Sequence, residues 1–209
     1  MTCAPSEPSL SGFLGALASG APAPAGGAAA ALCGALAAAL AAMVGRVAAA
    51  RDAARTADLG VLVEKADQLA RRLSTLVGDD TRAYEGVVAA GRSGEGAGAV
   101  QRALVHATET PLMMARSCRD VLVLSEALAA HARPRTASDL GVAAALAWGA
   151  LEAAALTVRA NLADVTDPGF ARATERELTD LLAEAGAARE RATATLASRG
   201  RRRDGAASS

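Results

Sequence analysis

The chain has 209 residues, enough for one domain with a real core, and 52% of them are hydrophobic but only 2% aromatic. A core built from Ala, Leu and Val with so few β-branched and aromatic residues excludes a strand-rich fold and favours tightly packed helices. The formal net charge is zero, which excludes a polyanion-binding chain and leaves nucleic acid out as a partner.

The elements are taken in chain order. Residues 1–9 read as a disordered end. Phe13, Leu14 and Leu17 recur at helical spacing, so a short first helix is expected over Ser11–Ser19. Pro22-Ala23-Pro24-Ala25-Gly26-Gly27 then ends it. Proline fixes φ and lacks an N–H, so this approach should be stiff and extended. The Gly pair predicts a turn that lets another group come close. From Gly27 to about Ala54 the composition predicts the central helix, with Gly34 and Gly45 as points of close contact. The free N–H groups at its start can hold an anion or a carbonyl. Its segment Ala28–Val44 is near the lower length for a membrane span, but its alanines are only weakly apolar, so a buried helix without a membrane is expected.

Leu59, Leu62, Val63, Ala66, Leu69, Ala70, Leu73 and Leu76 follow the 3.6-residue period and predict an amphipathic helix over Thr56–Val77. Gly78 should interrupt or bend it before the next segment, which carries Ala83, Tyr84, Val87 and Val88. Gly91 to Gly98 reads as a loop. A helix from Ala99 to Glu109 is followed at Pro111 by a new or kinked helix to about His131. Arg133-Pro134-Arg135-Thr136 is a linker. Ser138 is the expected N-cap of a long helix to about Asp164, with Asp139 in its first turn. Asp167-Pro168-Gly169 is a stop, and Phe170–Leu196 is a last amphipathic helix. The end from about 198 to 209 reads as disordered.

The sum is a single all-α domain of about seven helices spanning residues 10–197, some long and antiparallel. Ala28–Val44 and Asp139–Asn161 are apolar nearly all round, which is hard to bury twice within one monomer and predicts a homodimer. Cys3, Cys33 and Cys118 have no metal-ligand spacing and leave one unpaired in any disulfide scheme, which suits a reduced, cytoplasmic protein. The start of the chain lacks the basic stretch of a secretory signal.

The residues by themselves offer little chemistry. There are two histidines, His106 and His131, and no metal-site cluster, P-loop, strand-borne G-x-G-x-x-G or Gly-x-Ser-x-Gly. The remaining candidates are the carboxylates Asp79, Asp80 and Asp139. Each could be a helix cap. Alternatively, one of them points into a cleft beside Gly26-Gly27, where it could stabilise a cation or take a proton from water.

Four segments carry a resemblance. Pro22-Ala-Pro24-Ala-Gly26-Gly27-Ala-Ala-Ala-Ala resembles a P-x-P-G-G-G-S-x-A-A loop and helix, and Leu76-Val-Gly-Asp-Asp80-Thr-Arg-Ala-Tyr84 resembles an L-x-D-x-D-x-x-A-[YF] segment. Ser138-Asp139-Leu-Gly-Val-Ala-Ala resembles an S-D-x-x-V-A-A helix start, and Asn161-Leu-Ala-Asp-Val-Thr-Asp167 resembles an N-L-x-D-x-x-D helix end. In this order, over about Leu10 to Leu196, they resemble the cyclodeaminase/methenyltetrahydrofolate cyclohydrolase family.

The resemblance implies an all-helical homodimer acting on one-carbon tetrahydrofolates. Such enzymes either hydrolyse 5,10-methenyltetrahydrofolate to the 10-formyl form or close 5-formiminotetrahydrofolate with release of ammonia. It places the catalytic carboxylate at Asp80. Pro24, Gly26, Gly27, Asp139 and Asn161 become substrate-binding residues, and no cofactor or metal is implied. The chain departs from the pattern at Ala25, Ala28, Gly78, Arg133 and Thr157, and its basic cluster after the central helix is thinned to Arg46 and Arg51. These departures define the alternative: a non-catalytic helical dimer, folate-binding or scaffold, that has lost the active site.

Overall fold

The computed structural model of the protein describes residues 9–51 and 56–206, with side chains as far as Arg199. Among these residues there are six helices and no strand: α1 (Leu10–Leu17), α2 (Gly26–Ala49), α3 (Thr56–Arg92), α4 (Ala97–Ala129), α5 (Ala137–Leu162) and α6 (Pro168–Ala206). Six replaces about seven because neither Gly78 nor Pro111 ends a helix. An interior glycine costs about 1 kcal/mol relative to alanine. Leu59, Ala66, Leu73, Leu76 and Ala83 are buried along α3 on both sides of Gly78 and carry the helix across it. Only Ser93 to Gly96 separates α3 from α4, and there Gly94 and Gly96 take positive φ values of 73° and 86°.

α2 packs on α3, α5 and α4, and α4 in turn touches α3, α5 and α6. The alanine-rich sequence of α2 lets these neighbours come very close. A Cβ added at Gly34 would sit 2.9 Å from Cys118 Sγ, and one at Gly45 would sit 2.7 Å from Val63 Cγ2. Both glycines are contact points within an unbroken helix, as expected. Cys33 and Cys118 are free thiols, and burial pushes the Cys118 thiol up to about 12.

α2 and α5 are each long and apolar enough to cross a membrane, yet each turns one face into the core of this bundle. Neither is buried all round within the single subunit, in keeping with the expectation that one monomer has too little room to bury both. α2 exposes Leu36 and Val47, and α5 exposes Val142 and Leu156. Both helices pack against α4 on their inner side, so their outer apolar stripes lie on the side away from α4.

α6 is the least apolar of the long helices and is attached differently. Leu178, Leu181, Ala185, Ala188 and Ala192 form a thin buried seam. Around it Arg116 pairs with Glu177 at 2.8 Å, Arg191 with Glu126 at 2.9 Å and Arg159 with Glu175 at 2.8 Å, and Arg119 pairs with Glu184.

The cap of α5 differs from expectation. Thr136, not Ser138, is the N-cap residue, and Ser138 lies inside the first turn with Asp139. The disordered ends expected at 1–9 and 198–209 fall partly on residues outside those described, 1–8 and 207–209. Within the described range Ser9 caps α1 through Gly12 N at 3.1 Å, and the backbone of α6 continues to Ala206.

Candidate active site

The start of α2, the last third of α3, the first half of α4 and the end of α5 meet around a cleft of about 480 Å³. Its floor is the contact between α2 and Asp80. Gly26 and Gly27 do not form a turn with positive φ; they are the first two residues of α2. Gly27 is buried, and a Cβ there would lie 2.6 Å from Asp80 Cγ and 2.7 Å from Oδ2. The carboxyl group of Asp80 is therefore seated where a side chain at 27 would be. Gly26 has nothing within 4 Å of an added Cβ, so its place at the rim does not demand glycine.

Two opposed effects act on Asp80. Burial, the larger, raises its pKa above the ordinary 3.8, and the backbone N–H of Ala28, which donates to the carboxylate, lowers it. That N–H is one of those a helix start leaves without an intrahelical partner. The alanine at 28, where the family pattern has serine, thus still serves through its backbone. A half-buried carboxylate with a raised pKa in a cleft is suited to exchanging protons and to stabilising a cation.

Tyr84 stands one helical turn after Asp80, on the same side of α3, and lines the cleft while 45% exposed. It offers a flat face to a planar ligand. Ala83 and Val87 extend the apolar wall of α3, and Leu104 faces them from α4.

Asn161 is positioned through a defect in another helix. Pro111 sits inside α4 and has no N–H for the carbonyl of Ala107, four residues back. The Asn161 side-chain amide donates to that carbonyl at 3.0 Å. The end of α5 is thereby fixed to α4, with Asn161 and Thr157 on the cleft wall. Beyond it, Gln101 accepts from the Thr166 N–H at 2.8 Å and donates to the Asp164 carbonyl at 3.0 Å, tying the chain after α5 to α4.

The structure thus brings together Asp80, Gly26, Gly27 and Asn161. It does not bring Asp139, which lies in the first turn of α5, the opposite end from Asn161 and roughly 30 Å away at 1.5 Å per residue. Pro24 is not on the cleft wall; Pro22, Ala23 and Ala25 are. The Ala23–Pro24 peptide bond is cis. Asp79, one residue before the key carboxylate, pairs with Arg82 and stays off the wall. The same guanidinium lies 3.1 Å from a Cβ position at Gly78, so it occupies the space of the side chain that Gly78 lacks.

Tyr84 and Asp164 were not chosen from the sequence as site residues. The i, i+4 spacing from Asp80 was a usable signal for Tyr84. Asp164 is the first acidic position of the N-L-x-D-x-x-D helix end, and it reaches the cleft because of how α5 ends. A larger open groove of about 730 Å³ between α3 and α4 has one carboxylate, Asp120, already 2.8 Å from Arg119 Nε, and lacks a helix start. The smaller cleft is therefore the better candidate. Among the described residues no group of three or more His, Cys, Asp and Glu side chains is placed to hold a metal ion.

Known proteins match both the sequence and this architecture. The family model described as formiminotransferase-cyclodeaminase matches residues 9–180. The chain is 38% identical over 197 residues to methenyltetrahydrofolate cyclohydrolase of Methylorubrum extorquens AM1, covering 90% of this chain and 95% of that one. Its fold matches the crystal structure of formiminotetrahydrofolate cyclodeaminase from Thermotoga maritima with a TM-score of 0.85 at 27% identity, over 91% of this chain and 96% of the other. The chain belongs to the formiminotransferase-cyclodeaminase family.

Proposed function

We propose that the protein is a one-carbon tetrahydrofolate enzyme that hydrolyses 5,10-methenyltetrahydrofolate to 10-formyltetrahydrofolate, with Asp80 as the proton-transfer group. The observation that carries this reading is the seat of the Asp80 carboxyl on Gly27 at the head of α2. The greater identity to a cyclohydrolase than to a cyclodeaminase favours hydrolysis over ammonia release.

The chemistry follows from charge. The methenyl carbon bridges two nitrogens and shares a positive charge with them. An anion beside it lowers the energy of the bound cation and of the polar transition state. Asp80 takes a proton from the water that attacks the methenyl carbon. It returns that proton to N5 as the C–N5 bond of the tetrahedral adduct breaks. The remaining hydroxyl proton is released as the formyl C=O forms on N10. Tyr84 and Val87 supply a wall for the pterin, and Asn161 a polar group at its edge.

The working protein is a homodimer in the cytoplasm, on this reading. Its motives are the exposed apolar stripes of α2 and α5 and the unpaired cysteine count. The test is the loss of methenyltetrahydrofolate absorbance with purified protein. Asp80→Asn is expected to lower kcat by about 10²–10⁴-fold, the usual worth of a positioned acid–base. No turnover by the parent, or a variant equal to it, refutes the proposal. Ammonia release from 5-formiminotetrahydrofolate in the absence of methenyl hydrolysis would reassign the same site to cyclodeamination.

A further inference from the structure

The cleft holds two carboxylates in different surroundings. Asp80 is half-buried and accepts from the Ala28 N–H. Asp164 is exposed and lines the same cleft from the turn that follows α5. The polar groups nearby are engaged elsewhere. The Thr157 hydroxyl donates to the Ala153 carbonyl at 3.2 Å, and the Asn161 amide donates to the Ala107 carbonyl at 3.0 Å. No Lys, Arg or His lines the cleft. Among the described residues nothing donates to the Asp164 side chain.

That placement is unfavourable for an acid. Asp164 directly follows Ala163, the C-cap of α5, where the negative end of the helix dipole opposes a carboxylate. Other acids of the chain sit where a helix welcomes them. Asp58 and Asp139 lie in first turns, and Asp167 accepts from Gly169 N at 2.7 Å at the start of α6. The backbone around Asp164 is nevertheless held firmly. Its N–H donates to the Asn161 carbonyl at 3.2 Å, and its carbonyl accepts from the Gln101 side-chain amide at 3.0 Å. The Gln101 side-chain oxygen accepts from the Thr166 N–H at 2.8 Å and from its hydroxyl at 3.0 Å. An ill-placed acid on a clamped backbone is presented to the cleft at a fixed position.

A pair of carboxylate oxygens without a protein donor suits a ligand that brings two N–H groups side by side. A tetrahydrofolate has one such edge. The pyrimidine ring of its pterin carries the ring N3–H next to the 2-amino N–H, the same parallel fork that a guanidinium offers. The rest of the molecule fits this acid poorly. The benzoylglutamate arm has a single amide N–H, and its two carboxylates are repelled. The cationic methenyl carbon is served by Asp80.

We propose that Asp164 is a specificity-determining residue of this cleft, its carboxylate accepting from N3–H and the 2-amino group of the pterin, with Gln101 as its positioning residue. This rests on the folate reading above for the identity of the ring. The pyrimidine edge is thereby drawn to the end of α5, and the glutamate arm leaves away from it. A ring with a 2-oxo group in place of the 2-amino group sets oxygen against oxygen and is rejected.

The test uses two ring probes on the full chain: pterin, and lumazine, in which a 2-oxo group replaces the 2-amino group. Each is measured by equilibrium dialysis, read by the fluorescence of the ring itself. The parent should bind pterin about tenfold or more tightly than lumazine. Asp164→Asn offers a donor beside an acceptor, which matches lumazine instead, so the preference should vanish or reverse. Gln101→Ala should shrink the preference, and should change it no further in the Asp164→Asn background. General damage to the cleft would weaken both probes alike and leave their ratio unchanged. Asp164→Asn should melt no lower than the parent, because it removes an ill-placed charge.

With methenyltetrahydrofolate, the same variant should raise KM by about tenfold or more and keep kcat within about twofold. A parent that binds neither probe or does not distinguish them, or an Asp164→Asn protein that keeps the preference, overturns the proposal. Parental turnover with KM unmoved by Asp164→Asn overturns it too and leaves the folate reading standing. An Asp164-dependent preference for pterin without any folate turnover upholds the ring recognition and removes the folate reaction.

Discussion

Asp80 occupies a position that is unfavourable for an ionised side chain, and the sign of the effect is testable. Burial holds its pKa above 3.8 in the folded chain. The charged form is therefore costlier folded than unfolded. The penalty is absent below pH 3.8, grows as pH rises, and is complete above the folded pKa. Asp80→Asn should thus melt at a higher temperature than the parent at pH 7. The two melting curves should converge below the ordinary carboxylate pKa, as followed by circular dichroism. Activity should fall on the acid side through a pKa above 3.8, read from the pH dependence of kcat/KM. Gly27 makes the complementary prediction. The atoms that a Cβ would meet are the end of one short side chain. Gly27→Ala should displace the carboxyl with little loss of stability but cost about 100-fold in kcat, the scale of a 1 Å misplacement. The glycine pair was visible in the sequence; that only the second of the two glycines touches the acid was not. That distinction depends on where α3 crosses α2, which no local pattern encodes.

Among the elements, α4 and α5 show how a fault in one helix positions another. Pro111 leaves the buried Ala107 carbonyl without its helical donor, and Asn161 supplies one at 3.0 Å. Asn161→Ala should cost about 1–3 kcal/mol, the penalty of an unsatisfied buried acceptor. Pro111→Ala restores an N–H to the same carbonyl. The two substitutions together should cost less than their sum, measured as a coupling energy by urea unfolding. The helical period, the α2 composition and the close contacts at Gly34 and Gly45 were readable because each is a local property. Joining the segments across Gly78 and Pro111 was not. The apolar seam of α3 and the Asn161 donor outweigh the local breaking tendency of those residues. Ser138 lost the cap position for a similar reason: Thr136 closes the preceding turn, with its hydroxyl accepting from Arg133 N at 3.3 Å.

For the whole molecule, the exposed stripe makes the prediction. Leu36→Arg together with Leu156→Arg puts charge on residues that are 52% and 69% exposed in one subunit. Folding should survive, because neither side chain is in the core. Light scattering should report a monomer for this variant and a dimer for the parent. Intact helicity with no change in mass would refute an interface on this face. The sequence motifs that pointed to one site divide between two ends of the subunit, and a linear reading had no means to show that. The resemblance groups Asp139 with Asn161 as substrate-binding residues, yet the length of α5 is what separates them.

The attachment of α6 has a consequence for how the protein comes apart. Its Glu126, Glu177 and Glu175 links to Arg191, Arg116 and Arg159 sit at the surface, where dissolved ions weaken them. Glu126 and Glu177 are held below the ordinary carboxylate value by their arginines, so their support is present at neutral pH and is lost on acidification through the lowered pKa. In concentrated brine, or as pH falls below the ordinary carboxylate value of 4.5, the last helix should peel away first, exchanging its amide hydrogens ahead of the others. No described residue of that helix lines the hollow around Asp80, so that hollow should outlast the departure of the bundle's outermost strut.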